Sequence, residues 1–141
     1  MSKGYLLDTS AVFALTDNEE GADLVEELLG RAKKGQIAIN FSAMTAMEIY
    51  YVSSEERGEE EANRLLILVR ALAVAELSLD DALVLPAARF KAHYKISVAD
   101  AWIAATAAVH DLTLIHKDPE FERLKEGVAL LALPYKSKKR R

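Results

Sequence analysis

Four acidic residues spread along the chain stand where a predicted strand ends or a predicted helix begins: Asp8, Glu48, Asp100 and Asp118. Carboxylate oxygens without accompanying histidine or thiolate ligands suit the hard cations Mg²⁺ and Mn²⁺. The chain contains no cysteine, which excludes thiolate metal sites and disulfides. Two carboxylates 4 Å apart repel by roughly 4 kcal/mol at an effective dielectric constant near 20. If the four converge, either a divalent cation neutralises them or their pKa values rise.

Each acid also fits an ordinary structural role, because acidic residues are common in turns and in the first turn of helices. A turn, two capping boxes and an N-cap followed by proline would account for them one by one. The segments concerned are Asp8-Thr9-Ser10, Thr45-Ala46-Met47-Glu48, Ser97-Val98-Ala99-Asp100 and Asp118-Pro119. Taken singly, each acid is better explained by a structural role than by metal binding. Only the convergence of all four favours a metal site.

Short apolar strands alternate with amphipathic helices along the chain. The predicted strands are residues 5–7, 36–40, 73–77, 112–115 and 128–133. The predicted helices fall in residues 11–15, 21–35, 42–51, 58–72, 79–94, 97–110 and 119–125, with Ser42, Ser78 and Ser97 as N-caps. This alternation predicts a three-layer α/β/α sandwich around a short parallel sheet of four or five strands.

The predicted topology places the four acids together. In open α/β sheets, ligands bind beyond the carboxyl ends of the strands. Asp8 ends the first strand and Asp118 follows the fourth, while Glu48 and Asp100 lie near the starts of two helices. All four side chains are therefore expected at the same edge of the sheet.

Length and charge limit the class of protein. The 141 residues predict one domain over residues 1–135 and a basic tail over residues 136–141. The net charge is −4, but the tail carries five positive charges, so residues 1–135 carry −9. The tail is expected to be a solvated, disordered end; a phosphate-binding arm is the alternative. Without a signal peptide or a membrane-length apolar run, a cytoplasmic location is expected and a membrane partner is not.

Four segments resemble the acidic motifs of the PIN-domain family, and together they span residues 5 to about 133. The third, an acidic residue opening an alanine-rich helix, is the most specific. The segments are Tyr5–Ser10 with Phe13-Ala14-Leu15, Thr45–Glu48, Ser97–Ala107 and Leu114–Phe121. Their size and style look most like VapC-type toxins of prokaryotic toxin–antitoxin pairs.

The resemblance implies a Mg²⁺- or Mn²⁺-dependent endoribonuclease that hydrolyses RNA, with one or two ions and a small antitoxin protein as a partner. A bound divalent ion lowers the pKa of its water and polarises a phosphoryl oxygen. Asp8 and Asp100 are assigned as inner ligands, and Glu48 and Asp118 as residues that complete the site. His116 stands where the family often has Thr or Ser, and it is interpreted as a hydrogen-bonded neighbour and not as a ligand.

Three other classes of protein are the alternatives to this interpretation. A haloacid-dehalogenase-type phosphatase needs a second Asp two positions after the first, where this chain has Ser10. A receiver domain needs a phosphorylatable Asp after a middle strand, where this chain has Ser78. The third alternative is a catalytically weak PIN-like module retained for RNA binding or assembly.

The helix after the second strand is rich in large apolar groups and suggests a homodimer. These residues are Phe41, Met44, Met47, Tyr50 and Tyr51. Neighbouring helical residues point about 100° apart, so Tyr50 and Tyr51 cannot both lie in one core stripe. One of them is expected to pack on a partner, either a second copy or an antitoxin; core packing of the helix is the ordinary alternative.

Overall fold

Five strands form one parallel sheet in the order β3-β2-β1-β4-β5. The computed structural model describes residues 4–136, so the predicted tail lies outside the described residues except for Lys136. The strands are β1 (Gly4–Leu7), β2 (Ala38–Ser42), β3 (Ala75–Leu77), β4 (Thr113–His116) and β5 (Leu130–Ala132). The helices are α1 (Thr9–Thr16), α2 (Ala22–Lys33), α3 (Ala43–Arg57), α4 (Glu59–Arg70), α5 (Asp81–His93), α6 (Val98–Val109) and a 3₁₀ helix (Pro119–Leu124).

Alternate residues of the central strands feed two separate cores. In β1, Leu7 packs into the core shared with α1 to α4, whereas Leu6 packs into the core shared with α6 and the 3₁₀ helix. In β4, Ile115 and Leu114 divide in the same way. Both faces of the sheet are therefore covered by helices, which explains why these strands are continuously apolar. The predicted three-layer α/β/α sandwich with a parallel sheet is confirmed.

Three predicted boundaries were wrong. The helix predicted over residues 42–51 continues through the polar residues that follow and ends at Arg57. The second strand begins at Ala38, not at Gln36, because residues 35–36 still close α2: Gly35 has a φ of +78° and the Gln36 amide donates to the Arg31 carbonyl. This is the usual glycine-terminated helix end. Ser78 does not cap α5, because that helix begins at Asp81 and its first turn closes on the Asp80 carbonyl.

Helix α6 lies close against the sheet because its inward side chains are small. Ala101, Ala104, Ala105 and Ala107 are all buried, and the Thr106 hydroxyl donates to the Trp102 carbonyl at 2.8 Å. Within residues 4–136, no helix is both long and apolar enough to cross a membrane.

The close approach of α6 predicts that enlarging a buried alanine destabilises the fold. Ala104→Leu should lower the free energy of unfolding by about 1–3 kcal/mol, because the added atoms have no space at a fully buried site. Ala108 is exposed on the same helix, so Ala108→Leu should change it by less than about 0.5 kcal/mol. Urea denaturation measures both, and equal tolerance of the two changes would contradict the packing of α6.

Candidate metal centre

Asp8 links the end of β1 to the start of α1 and is held by its own turn. Its carboxylate caps α1, accepting from the Ser10 amide at 2.9 Å and from the Ser10 hydroxyl. The residue is only 3% exposed. Burial raises the pKa of Asp8 to about 6; the Ser10 hydrogen bonds oppose this rise, and the charge of Glu48 adds to it. The predicted turn role is therefore present, but it coexists with an energetically costly buried charge.

Ser10 joins the ends of two neighbouring strands. Its hydroxyl donates to Asp8 and accepts from the Lys117 amide at 2.8 Å, one residue after β4. The Asp8 amide in turn donates to the Ile115 carbonyl at 2.9 Å. These contacts fix the Asp8 side chain relative to the segment that carries Asp118.

Glu48 reaches the same edge from the second turn of α3. Its Oε1 accepts from the Thr9 hydroxyl at 2.6 Å, and the Thr45 hydroxyl lies 3.1 Å from the same oxygen of Thr9. The capping-box interpretation of Thr45 and Glu48 was wrong, because α3 begins at Ala43 and Ser42 is its N-cap. Thr9, the residue that follows Asp8, therefore orients the carboxylate of Glu48.

Asp100 is the half-buried acid on which the other charges act. It lies in the first turn of α6, where its amide donates to the Ser97 hydroxyl at 3.0 Å as the predicted cap requires. Burial first, and then the charges of Asp8, Asp118 and Glu48, raise the pKa of Asp100 to about 7. The structure thus brings all four sequence-predicted acids within interaction range.

Glu120 is an acid at this edge that sequence reasoning did not single out. Asp118 caps the 3₁₀ helix by accepting from the Glu120 amide at 3.0 Å, with Pro119 between them. Carboxylate oxygens of Asp100, Asp118 and Glu120 all lie within 4.8 Å of one another. The available signal was the Asp118-Pro119-Glu120 spacing, since a tight turn after an N-cap brings both carboxylates to one side.

His116 is a buried neighbour of the acids. Its Nδ1 accepts from the Asp118 amide at 3.3 Å, so the acceptor nitrogen is occupied by the backbone. The ring lies between Phe121 and Tyr135, with centroid distances of 5.4 and 6.1 Å. Burial lowers the pKa of His116, and its Nε2 has no hydrogen-bond partner among the described residues. The interpretation of His116 as a hydrogen-bonded neighbour agrees with this geometry.

The donor set fits a hard divalent cation. The side chains that meet at this edge offer carboxylate oxygens, with hydroxyls behind them that orient two of the acids. An apolar groove of about 510 Å³ lies between α5 and α6, but it is lined by His93, Val109 and other residues without a carboxylate. Val109 is nine residues beyond Asp100 on α6, about 14 Å along the helix axis. The acidic edge is therefore the candidate site.

Comparison with solved structures supports the fold. VapBC2 from Rickettsia felis, bound to a promoter DNA fragment, is 19% identical over 93% of this chain and 99% of its own, with a TM-score of 0.76. FitAcB from Neisseria gonorrhoeae is 23% identical over 89% of this chain and 95% of its own, with a TM-score of 0.67.

A third similar structure is VapC20 from Mycobacterium tuberculosis, a toxin that cleaves the sarcin–ricin loop. It is 15% identical over 89% of this chain and 96% of its own, with a TM-score of 0.67. No curated protein sequence is significantly similar to this chain.

The sequence profile of the PIN domain matches residues 5–127, which cover β1 to the end of the 3₁₀ helix and so include all five acids. The chain belongs to the PIN-domain family.

Proposed function

We propose that this PIN-domain chain is a Mg²⁺- or Mn²⁺-dependent endoribonuclease in which Asp8, Glu48, Asp100 and Asp118 hold the metal. The observation that carries the proposal is Asp100: a half-buried carboxyl group whose pKa is raised to about 7 by burial and by three other acids. A scaffold that holds these groups together without a nearby cation pays a free-energy cost. A divalent cation removes this cost by stabilising the ionised carboxylates.

Some residues at this edge bind the metal directly, and others hold those ligands in position. Asp100 and Asp8 are the inner ligands because burial and neighbouring charges raise their pKa values, an effect that a cation would oppose. Thr9 holds Glu48, and the backbone of the 3₁₀ helix holds Asp118. Glu120 stands close enough to Asp118 to contribute a further oxygen.

Fixed carboxylates of this kind orient a hydrated ion against a phosphodiester without further rearrangement. A bound divalent ion lowers the pKa of its water and polarises the phosphoryl oxygen.

We also propose that the chain is the toxin of a toxin–antitoxin pair and acts in the cytoplasm. Structural neighbours were solved as VapBC and FitAcB assemblies, and another is VapC20, a toxin that cleaves the sarcin–ricin loop. A small antitoxin protein is then the expected partner and RNA the expected substrate. These likenesses support the proposal at the level of the fold.

Loss of one inner ligand should abolish activity. Asp100→Asn should lower Mn²⁺-dependent cleavage of single-stranded RNA by about 100-fold or more, since weaker changes around metal sites already cost 10–100-fold. Asp81→Asn is the matched control, because Asp81 is also an acid in the first turn of a helix but lies on α5. It should leave cleavage unchanged.

A second readout separates a metal ligand from a structural cap. Mn²⁺ should raise the melting temperature of the wild type and of Asp81→Asn by mass action, but not that of Asp100→Asn. RNA binding without metal-dependent cleavage by the wild type would instead identify a catalytically weak RNA-binding module. Equal cleavage by all three proteins would reject Asp100 as a ligand.

The raised pKa of Asp100 predicts a pH-dependent stability difference. The folded protein binds this proton more tightly than the unfolded chain, whose Asp has the usual pKa of 3.8, so ionisation destabilises the fold as pH rises from about 4 to 7. In EDTA, Asp100→Asn should match the wild type near pH 4. At pH 7.5 it should be more stable by roughly 1–2 kcal/mol, after allowance for solvent screening.

Urea denaturation across this pH range tests the prediction, with Asp81→Asn showing no such trend. A loss of stability in Asp100→Asn at every pH would indicate that the carboxylate serves mainly as a helix cap.

A homodimer is the assembly that we propose. Met47 and Tyr51 lie one turn apart on α3 and are 52% and 44% exposed, while Tyr50 is half-buried. The two tyrosines therefore do point into different environments, and an exposed apolar pair on a helix favours a protein contact. Sedimentation should show a dimer at micromolar concentration that Met47→Lys dissociates. A wild-type monomer would contradict the proposal.

A further inference from the structure

We propose that the cavity beside Asp118 is a nucleotide subsite, in which one RNA base stacks on Phe13 and its phosphate pairs with Lys136. This proposal rests on the proposed nuclease function and concerns how the protein holds one nucleotide of its RNA substrate. The cavity has a volume of about 330 Å³, within the roughly 300–1,000 Å³ range of small-ligand pockets. Its lining residues are Ser10, Phe13, Glu19, Lys117, Asp118, Pro119 and Lys136.

The position of the cavity ties it to the acidic edge. Asp118 and Ser10 form part of its wall, and the Ser10 hydroxyl donates to the Asp8 carboxylate. A molecule in the cavity therefore lies next to the carboxylates proposed to hold the metal. For an RNA strand at that metal, the occupant is the nucleotide adjacent to the cleaved bond.

The apolar part of the wall suits a nucleobase. Phe13 packs one side against the core under α1 and lines the cavity with its remaining surface, and Pro119 adds a second apolar group. Unpaired bases commonly stack on aromatic side chains, and such stacking tolerates different bases because each has a π-face. The wall therefore selects a planar group without specifying which base.

The polar part of the wall is a fixed ion-pair cluster. Lys117, whose side chain is 4% exposed, donates to the Glu20 carbonyl at 2.7 Å and lies 3.5 Å from Glu19. The other Glu19 oxygen pairs with Lys136 at 3.0 Å, and Lys136 is 73% exposed. Lys117 is thus committed to the fold, whereas Lys136 is held at the rim by Glu19 with most of its side chain exposed.

The lysine at the rim offsets part of the repulsion that RNA meets at this edge. Residues 1–135 carry a net charge of −9, so a polyanion approaching the acidic edge needs a local cation besides the metal. Lys136 supplies one at the rim of the cavity. A base on Phe13 with its phosphate at Lys136 satisfies both the apolar and the charged part of the wall.

The experiment measures RNA binding by the full chain carrying Asp100→Asn, which prevents cleavage. The probes are fluorescent octamers of uridylate and adenylate and an octamer of the same backbone without bases. The parent should prefer the base-containing octamers. Phe13→Leu and Phe13→Met should reduce this preference about tenfold, the size expected for loss of one base–aromatic contact. Phe13→Tyr, which keeps the ring, should retain it.

Lys136→Ala tests the phosphate contact separately. It should reduce the slope of log affinity against log salt by about 0.7, the value for one phosphate on a single strand. Lys34→Ala is the matched control, because Lys34 ends α2 at the opposite edge of the sheet, before β2 begins. It should leave the slope unchanged. Thermal melting confirms that each variant is folded.

The outcomes distinguish the subsite from the nuclease proposal. If the wild type cleaves RNA but the base preference survives in folded Phe13→Leu and Phe13→Met, the subsite is rejected and the nuclease proposal stands. If the preference is lost in these variants but the wild type cleaves no RNA with Mg²⁺ or Mn²⁺, the nuclease proposal is rejected and the base site stands. No preference for bases in the parent overturns the subsite.

Discussion

Electrostatic repulsion at the carboxyl edge of the sheet is the constraint on which the proposed function depends. Asp8 is almost fully buried and Asp100 is half-buried, and burial is the largest cause of the raised pKa of each. The charges of Asp8, Asp118 and Glu48 add to the rise at Asp100, and the charge of Glu48 adds to the rise at Asp8. Such an arrangement costs stability, and the fold must hold it in place with contacts elsewhere.

The scaffold supplies those contacts without using the metal. Parallel pairing of β1 with β4 sets Leu7 opposite Ile115, so the residues that follow both strands leave the sheet side by side. Ser10 then bridges Asp8 to the Lys117 amide, which removes much of the freedom of this edge. On the other face, the buried alanines of α6 allow that helix to approach closely enough for Asp100 to reach the same place. The packing of the sheet and of α6 therefore holds the four acids close together despite their repulsion.

Sequence could predict the acids that end strands or open helices, because strand ends and helix starts follow from local patterns. Asp8 and Asp100 belong to this group, and a parallel sheet gathers such positions at one edge. The place of Glu120 at this edge did not follow from such a pattern, although it stands only two residues after Asp118. Its place depends on the turn of the 3₁₀ helix, whereas its sequence context looks like an ordinary acidic first turn.

The errors in the prediction have the same origin. Ser78 is a residue type that often caps helices, but three residues separate the end of β3 at Leu77 from the start of α5 at Asp81, and Asp80 is the N-cap. The Thr45 cap failed because Ser42 had already begun the helix. The hydrogen bond between Thr9 and Glu48, 39 residues apart, is a tertiary feature that no local pattern contains.

The same charge that favours a cation also governs how a polyanion approaches. With the acids ionised and no cation bound, the edge concentrates part of the net charge of −9 over residues 1–135 and repels RNA. A divalent cation at the acids offsets part of this negative charge and attracts RNA phosphate, and a phosphate near it strengthens the attraction for the cation in turn. Because binding free energies are linked reciprocally, metal and RNA must then enhance each other's affinity by the same factor. Lys117 does not supply this attraction, because its ammonium group is occupied by Glu19 and by the Glu20 carbonyl. Under the proposed function, coupled binding of metal and RNA follows from where the chain places its acids.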